Sequence, residues 1–277
     1  MRRAYLFITL LGLPALADTS PVATPATGTL TVSGGVNYDM YANPNSKEGE
    51  FPFELSYQVG RWTWEATDTY YIRGGEPDGL TGTKPNPKTH AGMQAIHVGN
   101  TIIWVPRPRR PKAGDPTVRG WGDMGMGVTY SAVLEGESHP GVDFTMTTTV
   151  PTGSESKGLS GGATNWAAGT ALNKIVGPFT FNLAVMHAWN GQPYKLAVQD
   201  TWSSEASVVL DMQNKNTLGL DFNWSQSAAP SEPQSRTLGL DGVISLSARD
   251  RLGLTWTHGF SKADPVTQVG FVLSRTY

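Results

Sequence analysis

The sequence has no cysteine among its 277 residues. That excludes a disulfide-stapled domain and any thiolate-ligated zinc or iron–sulfur centre. It also lacks a surplus of charge: 21 Lys and Arg against 23 Asp and Glu leave a formal net charge of −2. A protein that binds nucleic acid by neutralising phosphates needs a strong basic excess, so no nucleic-acid partner is expected. Helical hydrophobic periodicity is scarce, and no apolar run reaches the ~20 residues that a membrane-spanning helix needs. Glycine and aromatic residues, by contrast, are abundant: Gly 32, Trp 9, Tyr 9 and Phe 9. So many rings argue against a disordered chain.

Residues 1–17 read as an export signal. Arg2 and Arg3 give a positive start, 4–13 is a short apolar stretch, Pro14 breaks it, and Ala15-Leu16-Ala17 is an A-x-A cleavage site. Cleavage after Ala17 leaves 18–277 as one mature domain. The short apolar stretch disfavours the competing reading, an N-terminal anchor helix.

Period-two alternation runs through the mature chain. Leu218, Leu220, Phe222 and Trp224 oppose Thr217, Gly219, Asp221 and Asn223. Leu238, Leu240, Ile244 and Leu246 oppose Thr237, Gly239, Asp241 and Ser245, with Val243 an apolar intruder. Val142, Phe144 and Met146 oppose Asp143, Thr145 and Thr147. A soluble β-sandwich also alternates. Here, however, the polar faces carry Gly, Thr, Asn and Asp, as a wet interior would, and the apolar faces start or end in Trp, Tyr or Phe. The segments also reach the ~9–11 residues of a tilted membrane strand. An exported chain of such segments predicts a closed antiparallel transmembrane β-barrel of the bacterial outer-membrane type, because lipid tolerates no open sheet edge. The soluble sandwich is the minor alternative.

Outer-membrane barrels place short turns at the periplasm and long loops outside, with an even number of strands. Alternating the connections on that rule predicts about twelve strands, near 28–41, 51–59, 61–73, 121–134, 141–150, 163–173, 179–189, 204–213, 216–226, 236–248, 251–261 and 267–277. This leaves one long external loop, 74–120. It holds an apolar run, 95–105, which as a wall hairpin would give fourteen strands. In the last strand Val269, Phe271, Leu273 and Tyr277 share one parity. Phe271, Leu273 and the terminal aromatic Tyr277 are similar to the end signature that barrel-assembly machinery reads. Phe is the usual last residue of that signature, so Tyr277 is a mild departure.

At Gly120-Trp121-Gly122-Asp123 a G-x-G-D opening is followed by Gly127 and Tyr130. The next strand ends Val150-Pro151-Thr152-Gly153, and a Gly-rich loop 154–162 and a tight turn 174–178 follow. Over 120–277 this pattern resembles the bacterial outer-membrane family labelled "MetA-pathway of phenol degradation", described as transporters. The resemblance implies a barrel that passes small, apolar or aromatic compounds. It transfers no set of functional residues.

Candidate chemistry is sparse. Gly158-Leu159-Ser160-Gly161-Gly162 matches G-x-S-x-G, but a hydrolase serine needs a strand–elbow–helix setting and no helix follows. His90, His97, His139, His187 and His258 are scattered without metal-ligand spacing, and His187 and His258 lie on the apolar parity. No catalytic residue, metal or cofactor is assigned, and the chain reads as not an enzyme.

Asp39, Glu54, Glu65, Asp123, Asp143, Asp211, Asp221 and Asp241 fall on the predicted inward parity. Such a lumen favours cations, although the bland reading is only a hydrated interior with some of these near the rims. The loop carries a basic cluster, Arg107, Arg109, Arg110, Lys112 and Arg119. It reads either as lipopolysaccharide-facing or as complementary to the acidic interior, making 74–120 a partial plug. The function expected is passive passage of small solutes, hydrophobic or aromatic ones among them. The alternatives are a structural or ligand-binding barrel without an open pore, and a barrel enzyme. Lipid, lipopolysaccharide, the assembly machinery and a small solute are the expected partners, in the bacterial outer membrane.

Overall fold

The computed structural model describes residues 28–40, 47–74, 93–98, 101–106, 118–154, 159–160, 162–191, 198–212, 215–228, 234–261 and 266–277. The expected signal peptide lies outside them.

The wall is built from β1 (Thr29–Met40), β2 (Lys47–Val59), β3 (Trp62–Gly74), β6 (Val118–Trp121), β7 (Met124–Val133), β8 (Gly141–Val150), β9 (Asn165–Val176), β10 (Phe179–Trp189), β11 (Thr201–Asp211), β12 (Thr217–Ser225), β13 (Ser235–Ser245), β14 (Asp250–Gly259) and β15 (Thr267–Thr276). From β7 to β15 each strand pairs antiparallel with the next in sequence. β15 pairs with β1, β1 with β2 and β2 with β3, and β3 with β7 completes the ring. β3 pairs with β6 at Tyr70–Arg73 and with β7 at Trp62–Thr67, so β6 and β7 are two halves of one crossing. The result is a closed 12-strand antiparallel barrel.

The fourteen-strand alternative fails in an instructive way. The apolar run does form a hairpin, β4 (Met93–Val98) and β5 (Thr101–Pro106), but it pairs only with itself. Several bounds also shift. β2 begins at Lys47 and β11 at Thr201, so residues read as loop belong to the wall. β3 runs to Gly74 and β6 starts at Val118, which shortens the long segment to 75–117. β9 runs to Val176, leaving a two-residue turn at 177–178. Gly60 and Gly177 take φ of 58° and 60°, the left-handed backbone that turns this tight require.

Burial splits by parity. Trp64, Phe144, Leu183 and Leu273 are 52%, 53%, 50% and 53% exposed, while their inward neighbours Glu65, Thr145 and Thr147 are buried. An apolar band round a whole barrel is far larger than a soluble surface carries, and it fits lipid. Rings gather towards both ends of that band. Trp62 packs on Trp64 and Tyr130 at one end. At the other, His187 sits between Trp189 and Trp202, and His258 between Trp256 and Phe260. Among the described residues no helix is long and apolar enough to cross a membrane. The crossings are strands.

Candidate functional site

The inner wall is where side chains converge, and its polar groups lie flat along it. Asp241 stands opposite Gly219, and Asp221 opposite Gly239. A Cβ on Gly219 would collide with the Asp241 carboxylate, and one on Gly239 with the Asp221 carboxylate. Each glycine therefore makes room for the acid of the neighbouring strand. The signal was present as a repeat, Thr-Leu-Gly-Leu-Asp at 217–221 and again at 237–241. Antiparallel pairing turns the repeat into two reciprocal Gly–Asp contacts.

Asp221 and Asp241 are 4% and 5% exposed. Asn223 Nδ2 donates to Asp221 Oδ1 at 2.5 Å. Glu205 on β11, in register with Asn223, adds a third carboxylate that the sequence reading did not single out. Across the barrel, Glu54 and Glu65 lie on the inward faces of β2 and β3, where Ser56 is the register partner of Glu65. Asp39 is fully buried beside Glu48 and Glu50, two further acids brought in by the early start of β2. Asp143 accepts from Asn173 Nδ2 at 3.2 Å. Asp211 sits at the short-turn end of β11, and its backbone N–H donates to Pro178 O at 2.7 Å. Among the described residues the inward register positions hold two basic residues, Arg73 on β3 and Arg251 on β14.

Asp123 has a different task. It lies in the break between β6 and β7, and its Oδ1 accepts from Gly153 N–H at 3.1 Å. Thr152 Oγ1 accepts from Met124 N–H at 2.9 Å and donates to Gly122 O at 3.3 Å. Gly122 N–H donates in turn to Thr69 O at 2.9 Å. A Cβ on Gly122 would strike Tyr71, and one on Gly153 would meet the Gly122 backbone at 2.9 Å. The Gly-Trp-Gly-Asp and Pro-Thr-Gly segments thus clasp each other and hold a kinked crossing together.

Of the loop basics, Arg107, Arg109, Arg110 and Lys112 lie outside the described residues. Arg119 belongs to the wall in β6. It is exposed on the parity of Trp121 and in register with outward Ile72, so it points away from the acidic interior. Ser160 is buried in the loop after β8, where Gly162 N–H donates to its Oγ at 3.0 Å. At the short-turn end, Lys174 Nζ donates to Glu135 Oε1 at 2.6 Å and holds that carboxyl below the usual carboxylate range. Phe271 and Leu273 face outwards, and Tyr277 backbone N–H donates to Leu30 O at 2.8 Å across the β1–β15 seam.

The β4–β5 backbone approaches β3 and β7 on one side and β8 and β10 on the other. The outer faces of those strands are open, at Trp64 52%, Met126 41%, Phe144 53% and Leu183 50% exposure. Their inner faces are covered, at Tyr71 1%, Thr147 2% and Met186 4%. The hairpin therefore sits on the lumen side of the wall.

Solved structures share this architecture. An outer membrane channel from Pseudomonas putida F1 aligns with a TM-score of 0.62 at 14% identity, over 92% of this chain and 97% of that one. The NanC porin aligns with a TM-score of 0.51 at 10% identity, over 88% of this chain and 97% of that one. The chain thus has the fold of outer-membrane barrels. No family model and no curated protein matches its sequence.

Proposed function

We propose that the protein is an outer-membrane channel for passive passage of small solutes, with an interior that favours cations. The observation that carries this reading is the inner wall. Acids from β1, β2, β3, β8, β11, β12 and β13 face inwards, against two inward basic positions among the described residues. A lumen lined by one sign of charge concentrates the opposite ion. The outer location rests on the export signal at 1–17, the lipid-suited outer band and the barrel fold.

The finer reading, passage of hydrophobic or aromatic compounds, has its own support. Ala167, Met186 and Ala188 form an apolar patch on the inner face of β9 and β10, where β5 approaches. The resemblance of the Gly-Trp-Gly-Asp and Pro-Thr-Gly segments to the phenol-degradation family agrees with it. A second reading, a filled barrel without an open pore, draws on the near-complete burial of Asp39 and Thr149 at 0% exposure. Planar-bilayer recording from the purified barrel separates the two. Discrete conductance steps with a reversal potential displaced towards the potassium equilibrium potential support the cation channel, and silence from inserted, folded protein supports the filled barrel.

A further inference from the structure

We propose that Asp39, Glu48, Glu50 and Gln268 form a divalent-cation site, suited to Ca2+, on the inner wall at the long-loop end of the barrel seam. This goes beyond the channel reading and does not depend on whether the barrel conducts. A carboxylate oxygen from each of Asp39, Glu48 and Glu50 lies within 4.8 Å of the others. The three side chains are 0%, 2% and 0% exposed. Ca2+ binds oxygen at ~2.3–2.6 Å, so ligands of one ion stand up to ~4.6–5.2 Å apart, and the oxygens of this cluster lie within that reach of one another.

Gln268 points to a ligand independently. It is 2% exposed, and neither its Oε1 nor its Nε2 has a hydrogen-bond partner. A side-chain amide buried that deeply is costly unless something satisfies it. In the register Gln268 is directly opposite Asp39, which is directly opposite Glu48 on its other side. The amide, Asp39 and Glu48 thus occupy one inward-facing row across β15, β1 and β2, with Glu50 in the adjacent row, and the proposed site takes Gln268 Oε1 as its fourth, neutral oxygen. Asn37, opposite Glu50 in the next inward row, is 4% exposed, and its Nδ2 likewise has no partner.

The donor set selects the ion. All the groups are hard oxygens, without the imidazole or thiolate that zinc prefers. Mg2+ holds its ligands at ~2.0–2.1 Å and gives up its waters reluctantly, so a buried all-protein set of oxygens suits it less than Ca2+. An ion here ties the first strand to the last and to the second, so it clips the seam where the barrel closes.

The test uses the full folded protein in detergent, stripped with EDTA and dialysed free of chelator, with CaCl2 as the probe in equilibrium dialysis and calorimetry. One Ca2+ per chain is expected, together with a heat-modifiable transition at higher temperature in Ca2+ than in EDTA. Asp39→Asn and Glu50→Gln should weaken binding about tenfold or more, since affinity follows ligand charge. Gln268→Met, which keeps the volume and removes the amide oxygen, should weaken it several-fold. Asp250→Asn, at the short-turn end of β14 and so at the opposite end of the barrel, should bind as the parent does. Parent protein that is folded by heat-modifiable migration yet binds no stoichiometric Ca2+ overturns the proposal, even if the variants fail to fold. Binding undiminished in Asp39→Asn and Glu50→Gln also overturns it. Bilayer conductance, read separately, leaves the channel reading to stand or fall by itself.

Discussion

Leu220 and Asp221 are neighbours on one strand and occupy different solvents. Leu220 is 42% exposed on the outer band, and Asp221 is 4% exposed on the inner wall. Parity was legible in the sequence because β12 and β13 alternate almost without fault, and Val243, the one intruder, is buried on the inner side. Glu205 was hard to read because its strand runs Trp-Ser-Ser-Glu-Ala-Ser, where small residues on both parities blur the alternation. Glu48 and Glu50 were hidden by a polar stretch that resembles a loop and is in fact the start of β2. The parity itself predicts an asymmetry. Leu220→Arg places a cation in the lipid-facing band and should cost about 2–4 kcal/mol near the midplane. Thr255→Lys adds a cation on the inner face opposite Asp241 and should cost far less. Denaturant unfolding in detergent or lipid reads both, and equal costs would contradict the assignment of faces.

At the scale of elements, the strands and their order round the barrel were legible, and their bounds were not. Period two fixes which residues share a face. Where a strand begins depends on pairing that no local pattern records, as β9 shows by running into the segment read as a turn. The run at 95–105 shows the same limit. Its apolar residues announced strands, but only the direct pairing of β3 with β6 and β7 shows that they stay out of the wall. That placement predicts that the hairpin narrows the path. Replacing 93–106 by a short Gly/Ser linker should raise single-channel conductance, while an unchanged value from a variant that still inserts would mean the hairpin does not narrow the path. The last strand allows a second test. Tyr277 contributes its backbone to the seam whatever its side chain, and its ring is 63% exposed beside Arg275 at 6.0 Å. Tyr277→Ala preserves the seam hydrogen bond and removes the ring. It should slow assembly into the membrane more than it lowers the stability of protein already folded. Comparing insertion yield in cells with unfolding of refolded protein separates the two effects.

The whole molecule joins a lipid-suited outer surface to an acidic interior in one layer of residues, and the proposed channel function predicts that the wall, with what enters from the long-loop side, sets selectivity. Barrels of ~8 strands fill themselves with side chains and those of 16–18 leave an aqueous channel, so a twelve-strand wall leaves a lumen of intermediate width. The Debye length is ~10 Å at 0.1 M salt and ~3 Å at 1 M. In such a lumen the carboxylates of Glu205, Asp221 and Asp241, on three consecutive strands, should act on a passing ion at low salt and be largely screened at high salt. Three consequences can be measured together. The reversal potential in a KCl gradient should favour cations, more strongly near 0.1 M than near 1 M. The combined substitution Glu205→Gln, Asp221→Asn and Asp241→Asn should move it towards zero at low salt. Conductance at 1 M should change little, because shape is nearly conserved and charge is screened there. A triple variant that keeps the parent's cation preference at low salt would take selectivity away from this wall and assign it to the segment between β3 and β6.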